Sequence, residues 1–220
     1  MLAAIREDTR VIFIANPNNP TGTWIDKTRL KAFLEAVPKK VLVVVDEAYF
    51  EYSCDNPDYP NSLEWIANLP NLIVTRTFSK AYGLAGLRVG YSISHVDVAN
   101  LLNRVRQPFN VNSLALIAAT VALEDSDYLL QSVALNRAGM QQLTEAFKEM
   151  QLDFIPSLGN FIAVEVGSGA KIYERLLHEG VITRPIGFGY GMPQHLRVSI
   201  GTAEENEQFI QALRKVNDKD

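Results

Sequence analysis

Apolar residues in the first third of this chain come in short blocks, each ended by polar residues or proline. Val11-Ile12-Phe13-Ile14-Ala15 runs into Asn16-Pro17, and Val41-Leu42-Val43-Val44-Val45 runs into Asp46-Glu47. Asn71-Leu72-Ile73-Val74-Thr75 runs into Arg76-Thr77. Blocks this short, rich in β-branched and aromatic residues, predict buried strands. Between the first two, Leu30, Phe33, Leu34 and Val37 share one face of a helix predicted from about Asp26 to Val37, with Lys27, Lys31 and Glu35 opposite. Asp26 is suited to the N-cap and Pro38 to the stop. A strand, a helix and a strand in succession predict a βαβ unit and a parallel sheet. Two further strands are expected near 71–76 and 88–94.

The pattern then changes period. Helices are predicted near 97–106, near 113–124 and from about Ser126 to Met150. In the last, Leu130, Val133, Leu143, Phe147 and Met150 form an apolar stripe read as core packing. Gln151 to Asn160, with Pro156 and Gly159, reads as the boundary of a second unit. Beyond it follow a strand (Phe161 to Val166), a helix (about Lys171 to Glu179), a strand (Val181 to Arg184), a glycine-rich loop, a strand (His195 to Ile200) and a helix (about Ala203 to Val216). The fold class is therefore α/β, with a mostly parallel sheet in residues 1–125. Residues 126–220 supply a long connecting helix and a small C-terminal α/β domain.

Composition narrows the functional classes. The 220 residues are 47% apolar and 21% charged, ordinary for a globular protein able to bury a core. A formal net charge of −4 gives no electrostatic reason to expect nucleic acid or an anionic membrane as partner. No apolar run approaches the ~20 residues that span a bilayer, and Met1 to Arg10 does not read as a secretory signal. Cys54, the only cysteine, excludes an intrachain disulfide and fits a reducing, cytoplasmic setting; its plain reading is a small side chain in the polar loop Tyr52 to Pro60.

Chemistry gathers where the predicted strands end. Ligands of open α/β sheets bind outside the carboxyl ends of the strands, and there stand Asp46 and, just past the third strand, Lys80. The other lysines fall on helix faces or at termini, where solvated charge is the plain reading. Lys80 leads into the small-residue segment Ala81-Tyr82-Gly83-Leu84-Ala85-Gly86, and an amine enclosed near cationic groups becomes an available nucleophile. Asp46 alone would read as a helix N-cap. Tyr49 could bring a phenol to the same pocket, Thr77 and Ser79 bring hydroxyls, and Arg88 brings a cation. One amine, one carboxylate, ring-oxygen donors and a phosphate-binding cluster are what pyridoxal 5′-phosphate requires of a protein.

Three segments carry a resemblance. Asn16-Pro17-Asn18-Asn19-Pro20-Thr21-Gly22, Asp46-Glu47-Ala48-Tyr49 and Thr77-Phe78-Ser79-Lys80-Ala81-Tyr82-Gly83-Leu84-Ala85-Gly86-Leu87-Arg88-Val89-Gly90 resemble, in order and separation, the fold-type I class I/II aminotransferases. Within that family the likeness is strongest to the histidinol-phosphate aminotransferases. It rests there on the Lys80 segment, on Gly180-Val181-Ile182-Thr183-Arg184-Pro185, and on Leu196-Arg197-Val198-Ser199-Ile200-Gly201-Thr202 with Glu204-Glu205-Asn206.

The resemblance implies roles position by position. Lys80 would be the Schiff-base lysine and proton carrier, and Asp46 the partner of the pyridine nitrogen. Asn19 and Tyr49 would hold the ring's 3-oxygen, and Ala48 would pack under the ring. Thr77, Ser79 and Arg88 would bind the cofactor phosphate. Arg197 would grip the substrate's acidic group, with Asn19 beside it and Arg184 as a second phosphate contact; guanidinium suits carboxylate and phosphate alike. No metal is implied, and Gly187, Gly189 and Gly191 are read as shaping a loop rather than a dinucleotide fingerprint. Family members also carry a further N-terminal portion with a phosphate-binding loop, a ring-stacking aromatic residue and residues contributed across a dimer interface. Their absence here makes the expected first domain a partial one, missing a wall of its pocket, with a homodimer expected of the full-length form. The activity implied is transamination between L-histidinol phosphate and 2-oxoglutarate, as in histidine biosynthesis. Alternatives are an aromatic aminotransferase, a threonine-phosphate decarboxylase, or an inactive, poorly soluble remnant.

Overall fold

In the computed structural model, residues 1–217 are described, and they open with a four-stranded sheet. Val11–Ala15 (β1) leads through the helix Lys27–Ala36 (α1) to Leu42–Asp46 (β2), parallel to β1. A short helix, Phe50–Ser53 (α2), and a 3-10 turn, Ser62–Trp65, precede Leu72–Thr77 (β3), which is parallel to β2. Gly90–Ser94 (β4) returns antiparallel to β3, so the strand order is β1-β2-β3-β4. α1 forms where the apolar spacing places it: Asp26 accepts the Arg29 N–H at 2.8 Å, and Leu30, Phe33 and Leu34 face inward. They pack with Val43, Val45, Leu72, Val74 and Trp65 into the core on one side of the sheet.

β1 differs from expectation. It is the sheet's edge, and only Ile14 is buried; Val11 and Phe13 are exposed. An all-apolar run predicts burial on both faces, and the alternating exposure shows that only one face has a cover among the described residues. The opposite face carries Leu42 and Ile73 beside the helix Val96–Val105 (α3), where Val98, Leu101, Leu102 and Val105 close an apolar cleft of about 400 Å³. Ser113–Glu124 (α4), capped by Asn112, packs Ala115 and Ala119 on Phe78 and Val89.

Contacts divide the chain into two units, Met1–Pro17 with Trp24–Leu129, and Asn18–Thr23 with Leu130 onward. The division falls near the start of the helix Ser126–Glu149 (α5). The second unit holds an antiparallel sheet of Phe154–Ile155 (β5), Phe161–Glu165 (β6), Arg184–Pro185 (β7) and His195–Ser199 (β8), in the order β5-β6-β8-β7. Gly169–His178 (α6) and Ala203–Asn217 (α7) cover it. Leu143, Phe147, Ile162, Val164, Leu176, Leu196 and Leu213 are fully or almost fully buried there.

Three expectations need correction in this unit. Gln151 to Asn160 is not a boundary but lies inside the unit and supplies β5. Val181 to Thr183 is not strand; β7 starts at Arg184, because only Arg184 and Pro185 pair with β8. Leu130 is exposed, and the buried line of α5 runs instead through Asn136, Gly139, Leu143, Ala146 and Phe147. Gly139 is there because a Cβ would come within 2.5 Å of Ile200 and 2.7 Å of Asn206. No helix among the described residues is long and apolar enough to cross a membrane.

Candidate active site

The cleft at the carboxyl ends of β2 and β3 is built from sheet register. Asp46 closes β2 directly opposite Thr75 of β3, and Thr77 closes β3 opposite Gly90 of β4. The ladder continues one step beyond: Glu47 N–H donates to the Thr75 carbonyl, and Asn16 N–H to the Asp46 carbonyl, both at 2.9 Å. Side chains alternate across a sheet, so Thr75 and Thr77 share one face while Arg76 turns to the other.

Beyond β3 the chain folds back on itself. Phe78 N–H donates to Val89, Leu84 N–H to Phe78 and Gly83 N–H to Lys80. This loop holds Ser79 and Lys80 at the strand end, and its hydroxyls are ordered: Ser79 N–H donates to Thr77 Oγ1 at 3.1 Å. Arg88 donates to Ala85 O at 2.9 Å and to Ser79 Oγ at 3.4 Å. Its backbone is left-handed, φ 54°, which costs a non-glycine residue about 1 kcal/mol and is characteristic of functional sites.

Asp46, Ala48, Thr77, Ser79, Lys80 and Arg88 line one open cleft of about 390 Å³ with Thr75, Arg76, Val89 and Gly90. Six of the predicted residues are thus brought together. Gly90 admits no side chain, since a Cβ would sit 2.8 Å from the Arg76 carbonyl. Asp46 is exposed at the mouth; its Oδ1 accepts the Ala48 N–H at 3.1 Å within a turn, and it does not cap α2, whose N-cap position is Tyr49. Tyr49 is buried and does not line the cleft, but Lys80 Nζ lies 5.3 Å from the centre of its ring. Cys54 is exposed just after α2 and takes no part in the cleft.

The remaining predicted residues belong to the second unit. Arg197 on β8 donates to Asn19 Oδ1 at 2.9 Å, and its guanidinium lies 5.2 Å from the Phe161 ring centre. Its Nε is buried without a hydrogen-bond partner. Arg184 on β7 stands directly opposite Arg197 in the ladder. Two arginines paired in the ladder, one with an unmet donor, are the residue types suited to a doubly charged anion. The loop carrying Asn19 is tied to its own unit by Leu158 N–H donating to Gly22 O, and Gly22 lies so close to Ser157 that a Cβ would come within 2.0 Å of its hydroxyl. Gly189 and Gly191 have positive φ in a loop whose Phe188 is fully exposed. A larger cleft of about 440 Å³ beside α7 contains none of the predicted residues.

Behind the first cleft lies a buried polar group that the sequence pattern did not point to. Glu47 is fully buried and pairs with Arg76 at 2.8 Å. Glu51, also buried, has Oε2 without a partner, and burial raises its carboxyl above the usual range. Burial likewise pushes the Tyr82 phenol up to about 12, with Glu51 adding to it. Tyr59 donates to the Asn16 carbonyl, and burial raises its phenol too.

A family model described as aminotransferase class I and II matches residues 1–213. Histidinol-phosphate aminotransferase 1 of Nitrosococcus oceani is 58% identical over 217 residues, covering 98% of this chain and 58% of that protein. Histidinol-phosphate aminotransferase 2 of Pseudomonas fluorescens is 60% identical over the same length, with 98% and 58% covered. A crystal structure of histidinol-phosphate aminotransferase from Sinorhizobium meliloti, in complex with pyridoxal-5′-phosphate, superposes with a TM-score of 0.91 at 34% identity, covering 99% of this chain and 60% of that one. The chain therefore spans about three-fifths of the length of the proteins it matches.

Proposed function

Because this chain belongs to the class I and II aminotransferase family, we propose that it serves a pyridoxal-phosphate-dependent transamination between L-histidinol phosphate and 2-oxoglutarate. The observation that carries this reading is the single cleft lined by Asp46, Ala48, Thr77, Ser79, Lys80 and Arg88. The names and identities of the relatives support the choice of amino donor.

The donor set fits the cofactor. When bound, pyridoxal phosphate supplies an aldehyde for an amine to condense with and a pyridinium ring that accepts electrons from the substrate's α-carbon. Asp46 would keep the ring nitrogen protonated by presenting a carboxylate to it. Thr77, Ser79 and Arg88 bind the phosphate through two hydroxyls and a guanidinium, a charge-assisted arrangement. Ala48 would leave room under the ring, and the family resemblance gives Tyr49 and Asn19 the role of donors to the 3-oxygen. Lys80 Nζ is the amine that would hold the cofactor's aldehyde carbon and would serve as the base for the substrate's α-proton. Arg197, held at one nitrogen by Asn19, and Arg184 receive the substrate phosphate.

A homodimer and a cytoplasmic location complete the reading; a chain with one cysteine is at home in a reducing compartment. The test is trapping. Borohydride reduction of the chain with pyridoxal phosphate should leave the cofactor's mass on the peptide that contains Lys80, and Lys80→Ala should abolish it. Trapping on a different lysine would reject the site. Keto-acid formation without carbon dioxide release would separate transamination from decarboxylation.

A further inference from the structure

Glu47, fully buried, pairs with the largely enclosed Arg76, and the pair sits directly behind the cleft. Its partners come from every side. Glu47 Oε2 accepts from Arg76 Nε at 3.1 Å and Nη2 at 2.8 Å. Glu47 Oε1 accepts the Ser62 N–H at 3.0 Å, and Arg76 Nη2 also donates to Asn61 Oδ1 at 2.9 Å. The Phe50 ring lies under the guanidinium at 3.4 Å. Glu51, Cys54, Tyr59, Tyr82 and Tyr91 are the other titratable groups around the pair, and each feels the charge of Arg76.

Position in the chain gives the pair its meaning. Glu47 follows Asp46, and Arg76 precedes Thr77. The pleat turns Asp46 and Thr77 to one face of the sheet and their neighbours Glu47 and Arg76 to the other, although Arg76 still borders the cleft. A two-pronged bond between those neighbours fixes the spacing of the two strand ends. One end carries the carboxylate, and the other carries Thr77, Ser79 and Lys80.

We infer that Glu47 and Arg76 are positioning residues: their pair sets the separation between Asp46 and the Thr77–Lys80 segment to the length of one pyridoxal phosphate molecule. Glu47 does not line the cleft, and Arg76, which borders it, has its guanidinium engaged by Glu47 and Asn61. The inference rests on the cofactor reading above, and its test separates the two.

Pyridoxal phosphate is titrated into the chain and into Glu47→Gln, Arg76→Lys and the double variant Glu47→Leu/Arg76→Met. Folding is followed by circular dichroism, affinity by the visible absorbance of lysine-bound cofactor, and electrostatics by the pH midpoint of that absorbance. An isosteric apolar pair restores stability that a broken buried pair loses, so the double variant distinguishes support of the fold from positioning. The expected result is cofactor affinity about tenfold or more weaker in all three, a loss in the range seen when supporting contacts of a bound group are removed. A displaced pH midpoint is expected with it, and the double variant should be as stable as the parent. A double variant that binds with parental affinity and an unmoved midpoint overturns the inference and leaves the cofactor reading standing. A parent chain that binds no pyridoxal phosphate overturns both. Should Glu47→Gln not fold, Arg76→Lys, which keeps the charge and loses the fork, separates the same two outcomes.

Discussion

Glu51 shows what a buried carboxyl without a full set of partners does to a fold. Burial raises its proton affinity, the nearby Glu47 adds to this, and Arg76 only partly opposes it. The folded state therefore binds a proton that the unfolded state releases near 4.5, the ordinary carboxyl value. Between that pH and the raised folded value, stability must fall as pH rises. Glu51→Gln keeps the shape and removes the charge, so it should flatten this decline and leave the chain at least as stable at neutral pH. Denaturant midpoints of both proteins across the acid-to-neutral range check this; a variant that declines just as steeply would assign the slope to other groups. Asn16 is the opposite case. Fully buried, it accepts the Ile25 N–H at 2.7 Å and donates to the Ile25 carbonyl at 3.2 Å. Asn16→Ala strands both groups and should cost about 2 kcal/mol in denaturant unfolding. The two residue types read differently in the sequence. The placement of Asp46 and Lys80 in one cleft was legible because each follows an apolar run at a strand end. The Asn16–Ile25 clamp and the Glu47–Arg76 pair were not, because each depends on a fold-back or a register that spacing along the chain does not encode.

At the level of elements, strong periodicity carried most of the information. The runs that became β2, β3 and β8 and the stripe of α1 were legible, since burial there follows directly from residue type. β5 was not, because two residues in a proline-containing stretch show no period. Val181 to Thr183 has strand composition but departs from β8, and composition does not reveal where pairing stops. The cap of α1 gives a direct check: Asp26→Ala removes the acceptor of the Arg29 N–H and should cost about 1 kcal/mol. Gly90 was legible as part of a motif but not as a packing constraint. Its missing side chain lets β4 approach the Arg76 carbonyl, and a Cβ there would meet backbone, which does not swing aside. Gly90→Ala should therefore lower stability by about 1–3 kcal/mol. It should also weaken pyridoxal phosphate binding, because β3 is displaced at Thr77; calorimetric unfolding and a cofactor titration measure the two effects on one sample.

At the level of the whole molecule, the distribution of apolar surface is the outstanding feature. An overall 47% apolar content is ordinary and does not say which residues stay outside. In the structure, α4 has no charged residue before Glu124, yet only Ala115 and Ala119 are buried, while Leu114, Leu116, Ile117, Val121 and Leu123 are exposed. On α3 and just beyond it, Leu101, Val105 and Phe109 are exposed as well, Phe109 almost completely at 97%. A helix apolar all round is stable in water only when something covers it. In a purified sample the one apolar surface on offer is another copy of the chain, so the chain should self-associate in a concentration-dependent way. The contribution of α4 is separable from that of the cleft, because Leu114 and Ile117 are not among the residues that line it. Leu114→Lys with Ile117→Glu adds opposite charges three residues apart, which support the helix while breaking the patch. Sedimentation velocity over a concentration series should then show a smaller weight-average mass for the variant than for the parent, with circular dichroism unchanged. If both sediment alike at every concentration, the covering surface lies elsewhere, and the exposed edge strand β1 with Phe13 is the next to be charged.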